Sequence, residues 1–162
     1  MSQRRRPLEG PFRYRHPIEV RYVDTDALGH INNATYLSYF EAARAGYYAA
    51  LMGTPFGTGE GAERYTFLIA EAQISYRAPG FFGEPLVTEC RVSWMGRSSF
   101  GLEYRVVSDG SPIAPARLLA DGETVQVMFD VTAQRVMRVP ADLAERFATF
   151  EDRPIGSVRP ER

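Results

Sequence analysis

Asp24-Thr25-Asp26-Ala27-Leu28-Gly29-His30-Ile31-Asn32-Asn33 decides the fold, because the hydrophobic period of the chain changes across it. Before it, Tyr14, His16, Ile18, Val20 and Tyr22 share one side of an alternating pattern, which predicts a strand. After it, Tyr36, Leu37, Phe40, Ala43, Tyr47 and Leu51 fall on one stripe at helical spacing and predict a long helix. Asn32 or Asn33 suits its N-cap and Gly53 its C-terminal stop. Ala42, Ala45 and Ala49 keep another side thin, so a sheet can wrap the helix closely. Two carboxylates, an imidazole and two carboxamides are thus delivered to a helix N-terminus, where backbone N–H groups lack partners and the dipole is positive. Such a place binds an anion or polarises a carbonyl, and a nearby carboxylate can attack that carbonyl or activate water.

Further along, Thr54 to Gly61 is Gly-rich, carries Pro55 and predicts a mobile loop. Four alternating runs follow, Tyr65–Arg77, Leu86–Trp94, Ser99–Val107 and Arg117–Asp130, separated by turns with Gly or Pro. A short helix is expected near Ala141–Phe150, after Pro140. No helices separate the later strands, which excludes a doubly wound parallel sheet. The expectation is one α+β domain over residues 12–150, an antiparallel sheet curled around one central helix. Residues 1–11, with Arg4-Arg5-Arg6, and residues 151–162 are expected to be loose tails.

A chain of 162 residues suits a single domain with a sizeable core. A net charge of −1 argues against electrostatic binding of nucleic acid. All 19 basic residues are Arg, so lysine Schiff-base chemistry is ruled out and any phosphate is gripped by guanidinium forks. The single cysteine, Cys90, lies in a strand pattern and reads as a buried thiol in a reducing compartment. No leader pattern or bilayer-spanning run is visible, so a cytoplasmic protein without membrane contact is expected. Asp24, Asp26 and His30 offer metal donors, but no His or Cys cluster completes a site, and no metal or other cofactor is expected. Gly-x-Ser-x-Gly is missing, which leaves a serine triad unsupported.

Arg21-Tyr22-Val23-Asp24-Thr25-Asp26, then Gly29-His30-Ile31-Asn32-Asn33, Tyr36 and Phe40-Glu41-Ala42-Ala43-Arg44, resembles the 4-hydroxybenzoyl-CoA thioesterase family of hotdog-fold proteins. The likeness is strongest to its bacterial long-chain acyl-CoA thioesterase branch and extends over roughly Ile18 to Pro140. It implies a five-stranded antiparallel sheet wrapped round the helix. It also implies a homodimer joined edge to edge, or a homotetramer, with active sites between subunits. The implied reaction is hydrolysis of acyl-CoA, with a medium or long fatty acyl chain suggested by the branch. An acyl-carrier-protein substrate or a non-catalytic acyl-CoA-binding role stand as the alternatives.

By the same resemblance Asp26 is the catalytic carboxylate, as nucleophile or as base on water; the plainer alternative is a loop-bracing Asp. Asp24 would share its side if the strand continues, so one of the two can be structural. Asn33 would offer its backbone N–H to the carbonyl oxygen. A similar loop in plant acyl-carrier-protein thioesterases carries a functional His at the place of His30, although their Asn is replaced here by Leu28; His30 is taken as either a substrate or a loop ligand. Arg97, Ser98 and Ser99 fall where relatives hold the CoA nucleotide, against the alternative of a solvated turn. Glu41 is a reserve catalytic acid or an ion-pair partner of Arg44. Glu71 faces either the cleft or solvent.

Overall fold

A computed structural model describes residues 5–59 and 62–161. Met1 to Arg4 of the N-terminal segment, Glu60 and Gly61 of the Gly-rich loop, and Arg162 lie outside the described residues. The elements are β1 (Tyr14–Glu19), α1 (Thr35–Met52), β2 (Phe67–Tyr76), β3 (Pro85–Met95), β4 (Ser99–Ser108), β5 (Arg117–Asp130), β6 (Arg135–Val136) and α2 (Ala141–Glu151). All strand pairs are antiparallel, in the order β1-β3-β4-β5-β2, with the two-residue β6 added to β5. This is the expected α+β hotdog arrangement of five long strands packed on one helix.

The 18-residue helix α1 ends at Gly53, whose φ of 72° and N–H to the Ala49 carbonyl form a left-handed stop. Tyr36, Tyr39, Phe40, Ala43, Tyr47, Tyr48 and Leu51 are buried against the sheet. Phe40 stacks on Tyr104 of β4, with ring centroids 4.4 Å apart and planes 9° from parallel. Burying a ring of that size stabilises by about 2 kcal/mol. Leu37, expected on the same stripe, is instead exposed. It lies about 100° around the helix from Tyr36, outside the arc centred on Phe40, Ala43 and Tyr47. The helix is approached closely at Gly46, where a Cβ would fall 2.0 Å from the Tyr14 hydroxyl.

β1 stops at Glu19, earlier than its alternation predicts. Tyr22–Asp24 forms a single 3-10 turn that leaves Tyr22 and Val23 exposed. Asp24 and Asp26 are therefore not neighbours on one strand face.

The sheet face away from α1 carries a ladder of charges. Arg15, Glu89, Arg105 and Asp121 stand opposite one another across β1, β3, β4 and β5, and Arg91 stands opposite Glu103 in the next row. Glu89 bridges Arg15 and Arg105, and Arg91 pairs with Glu103, each at 2.6 Å. These acids are almost fully buried because both chain ends cover them. Leu8 N–H donates to Asp121 at 2.8 Å, Arg91 donates to the Pro11 carbonyl, and Phe12 lies between the guanidiniums of Arg91 and Arg105. At the other end Met95 N–H donates to the Gly156 carbonyl, and Arg159 pairs with Glu71 and Glu123. The described parts of both expected tails are thus fastened to the sheet, because its outward-facing charges supply partners that an alternation pattern does not reveal.

Candidate active site

The loop between β1 and α1 folds back on itself. Thr25 bridges Ile31, Asp26 N–H donates to the His30 carbonyl at 3.0 Å, and Asn32 N–H donates to the Asp24 carbonyl at 2.8 Å. Gly29 closes the tip with φ 81°, a conformation that favours glycine. Ile31 anchors the loop: it is buried, and its N–H donates to the Gly80 carbonyl at 2.8 Å. Asn32 sets the turn that leads into α1. Its Oδ1 accepts from Ala34 N–H at 2.9 Å and its carbonyl from Thr35 N–H at 2.9 Å. Neither expected cap holds the N-cap position, which falls to Ala34 without a side-chain cap bond; Asn32 braces the turn just before it.

The two aspartates part company here. Asp24 is buried, and its oxygens accept from the Arg21 backbone N–H at 2.9 Å, from the Arg21 guanidinium at 2.7 Å and from the Tyr39 hydroxyl at 3.2 Å. Burial pushes its carboxyl up, but the Arg21 and Tyr39 hydrogen bonds outweigh that and hold it below the usual carboxylate range. Asp26 is half-buried. Its Oδ1 accepts from Leu28 N–H at 2.9 Å and lies 3.6 Å from His30 Nδ1, while its Oδ2 has no partner among the described residues. Asp24 is thus committed to structure, and Asp26 keeps one carboxylate oxygen open.

Asn33 lies in the turn two residues before α1. Its carbonyl accepts from the Tyr76 hydroxyl at 2.9 Å, and its backbone N–H has no acceptor among the described residues. Asp26, His30 and Asn33 are thus brought together on one short hairpin-like loop at the start of α1. Arg21, Tyr39 and Tyr76 fix this geometry, a bracing role that the sequence did not assign to them. Only Arg21, three residues before Asp24, left a local signal.

The family model of the thioesterase-like superfamily matches residues 20–147. The chain belongs to this superfamily. An acyl-CoA thioester hydrolase, YbgC, of Escherichia coli is 26% identical over 83% of this chain and 95% of its own length. A 1,4-dihydroxy-2-naphthoyl-CoA hydrolase of Synechococcus elongatus is 29% identical over 65% of this chain and 78% of its own. The crystal structure of a Thermus thermophilus thioesterase complexed with coenzyme A and Zn is 30% identical. It covers 89% of this chain and 98% of that one, with a TM-score of 0.74.

In this thioesterase-like chain, Arg97, Ser98 and Ser99 lie far from the loop. They form the β3–β4 turn, whereas the loop packs beside the opposite end of those strands. The eleven residues of β3 separate the two places by roughly 30 Å. The Ser98 and Ser99 carbonyls are used by Met128 and Gly96 N–H groups, while the exposed Arg97 guanidinium makes no ion pair with any described residue.

Other residues read from sequence are engaged elsewhere. Arg44 donates to the Tyr104 hydroxyl at 3.4 Å rather than pairing with the exposed Glu41. Glu71 is held by Arg159. His16 meets the Tyr14 hydroxyl at 3.0 Å, and burial lowers its pKa. Cys90 is fully buried, and burial raises its thiol well above the ordinary range. Among the described residues no group of three or more His, Cys, Asp or Glu is placed to hold a metal. No helix among them is long and apolar enough to cross a bilayer.

Proposed function

We propose that the protein hydrolyses acyl-CoA thioesters to a carboxylic acid and CoA, with Asp26 as the catalytic carboxylate. The observation that carries this is the open oxygen of Asp26 on the same loop as the open N–H of Asn33. The thioester carbonyl oxygen accepts from that N–H at the positive end of α1, which stabilises the charge that develops on it. Asp26 either adds to the acyl carbon, giving an anhydride that water then opens, or takes a proton from the water that attacks. In both routes the C–S bond breaks, the acid keeps an oxygen from water, and CoA leaves as a thiol after gaining a proton. No resident cofactor is required by either route. His30, 3.6 Å from Asp26, positions the loop or the substrate.

The working unit in this proposal is a homodimer. β2 ends the sheet, and Leu68 and Ile69 on it are exposed. Pairing two β2 strands antiparallel about a two-fold axis places the Phe67 end of one beside the Tyr76 end of the other. Arg97, Ser98 and Ser99 of one subunit then approach the loop of the other, where the nucleotide of CoA would lie. The same pairing brings up a cavity of about 420 Å³ lined by Tyr48, Met52, Phe56, Tyr65 and Phe67. An apolar cavity of that size suits a medium or long fatty acyl chain. An aromatic acyl group is the second reading, favoured by the same rings and by the naphthoyl-CoA hydrolase relative.

Thiol release from a panel of short, long and aromatic acyl-CoAs, and from the same acyl groups on acyl carrier protein, tests the proposal. Asp26→Asn is expected to lower kcat by about a hundredfold or more while leaving the fold intact. A wild type that releases no thiol from any of these substrates would sink the hydrolase reading. Full activity in Asp26→Asn would move the chemistry to another residue.

A further inference from the structure

Asn33 lies outside the helix that follows it. The N-cap of α1 is Ala34, so the helical ladder begins beyond Asn33 and does not hold its carbonyl. The direction of the open Asn33 N–H is set instead by the peptides on either side. In the peptide before, the Asn32 carbonyl accepts from Thr35 N–H at 2.9 Å. In the peptide after, Ala34 N–H donates to Asn32 Oδ1 at 2.9 Å, and the Asn33 carbonyl accepts from the Tyr76 hydroxyl at 2.9 Å. The first two bonds lie within residues 32–35 and move with the turn. Of the three, only the bond from Tyr76 comes from the sheet.

Tyr76 is itself held in place. It is the last residue of β2 and pairs with Ala120 of β5, and the next residue, Arg77, donates its N–H to the Leu119 carbonyl at 2.8 Å. Its ring meets Tyr36 edge to face, with centroids 5.5 Å apart. Tyr36 is buried on the first turn of α1 and meets Tyr39, whose hydroxyl donates to Asp24. A packed ring on a fixed strand end gives the hydroxyl one place to stand, as a preorganised donor requires of its support. We infer that Tyr76 is a positioning residue for the carbonyl-binding N–H of Asn33, acting through the Asn33 carbonyl and setting kcat rather than substrate binding. This role rests on the hydrolase proposal. A donor has to meet the oxygen where charge develops, and a misplacement of about 1 Å costs up to about a hundredfold in rate. An interaction made only in the transition state is lost from kcat and not from KM. Tyr76 is 42% exposed, so in Tyr76→Phe water takes the hydroxyl's place at the Asn33 carbonyl and the fold is kept.

Steady-state thiol release, thermal unfolding and amide ¹⁵N relaxation of the full chain, wild type against Tyr76→Phe, test this. In the variant kcat is expected to fall about tenfold or more with KM within about twofold of wild type. The unfolding midpoint should stay within about 3 °C, as the loss of one water-replaceable hydrogen bond implies. The Asn33 amide order parameter should drop from the rigid-backbone value of about 0.85. Tyr14→Phe is the control, since its hydroxyl meets His16 beside Gly46, roughly 17 Å along α1 from Thr35. It removes the same group at a distant site and should leave kcat within about twofold and the Asn33 order parameter unmoved. An unchanged kcat, an unmoved Asn33 order parameter, or an equal loss in Tyr14→Phe overturns the inference. A loss carried by KM also overturns it and places the Tyr76 hydroxyl against the substrate. If the wild type turns over no acyl thioester, the hydrolase reading fails. The tie to Asn33 then stands if the order parameter drops in Tyr76→Phe and fails if it does not.

Discussion

Asp24 and Asp26 lie two positions apart, and their roles are divided by what surrounds them. Asp24 is shut in, with Arg21 and Tyr39 on its oxygens, while Asp26 spends one oxygen on the loop and leaves the other free. Asp24→Ala would strand the buried Tyr39 hydroxyl and free the turn that feeds the loop, so it should lower unfolding free energy by about 2 kcal/mol. The pH dependence follows from the depressed carboxyl of Asp24. Its contribution is present above the unfolded value of about 4 and is lost as pH falls through the lower folded value. The wild-type advantage over Asp24→Asn, measured by urea unfolding, should therefore be largest near neutral pH and shrink in acid; an advantage that grew in acid would contradict the assignment. The acid pair and its loop were legible in sequence. The choice between the two acids was not, because it depends on Tyr39 reaching back from the helix and on where β1 stops.

Elements were the most legible level, since period alone marks β1, α1 and the four later strands, and Gly53 and Pro140 mark real boundaries. What period missed is how the elements are fastened. Glu151 was read as the start of a loose tail, yet it is the buried last residue of α2. Its Oε1 accepts from the Tyr47 hydroxyl at 2.6 Å and from the Val92 N–H at 3.1 Å, tying α2 to α1 and β3 at once. A charged residue at a helix end looks solvated in sequence, and only the fold supplies two buried donors for it. Glu151→Ala would leave both donors unmet. A loss of about 3 kcal/mol is expected, with hydrogen exchange accelerating in α2 before the central strands. Unchanged exchange in α2 would mean that Phe147 and Leu143 alone hold the helix.

At the scale of the whole molecule, one chain separates groups that the proposed reaction needs together. Asp26 and Asn33 stand at one end of the sheet, and the Arg97 turn and the apolar cavity stand at the other. The sequence resemblance implies an interface between subunits but cannot say which edge forms it, because β1 and β2 both end the strand order. Exposure favours β2 in the proposed dimer. Arg15 of β1 is paired with Glu89 and Asp109, whereas Leu68 and Ile69 of β2 are exposed. An exposed apolar edge favours strand addition, and in a two-fold pair any charge introduced there is brought close to its own copy. Leu68→Lys/Ile69→Lys should therefore convert a dimer to a monomer by light scattering with unchanged circular dichroism. Acyl-CoA turnover should fall by about tenfold or more, as expected when positioned groups are pulled apart. Loss of activity with the dimer intact would place Leu68 and Ile69 in the acyl path instead of the interface. A monomer as active as the wild type would show that Asp26 and Asn33 work within a single chain and that Arg97, Ser98 and Ser99 take no part in binding the substrate.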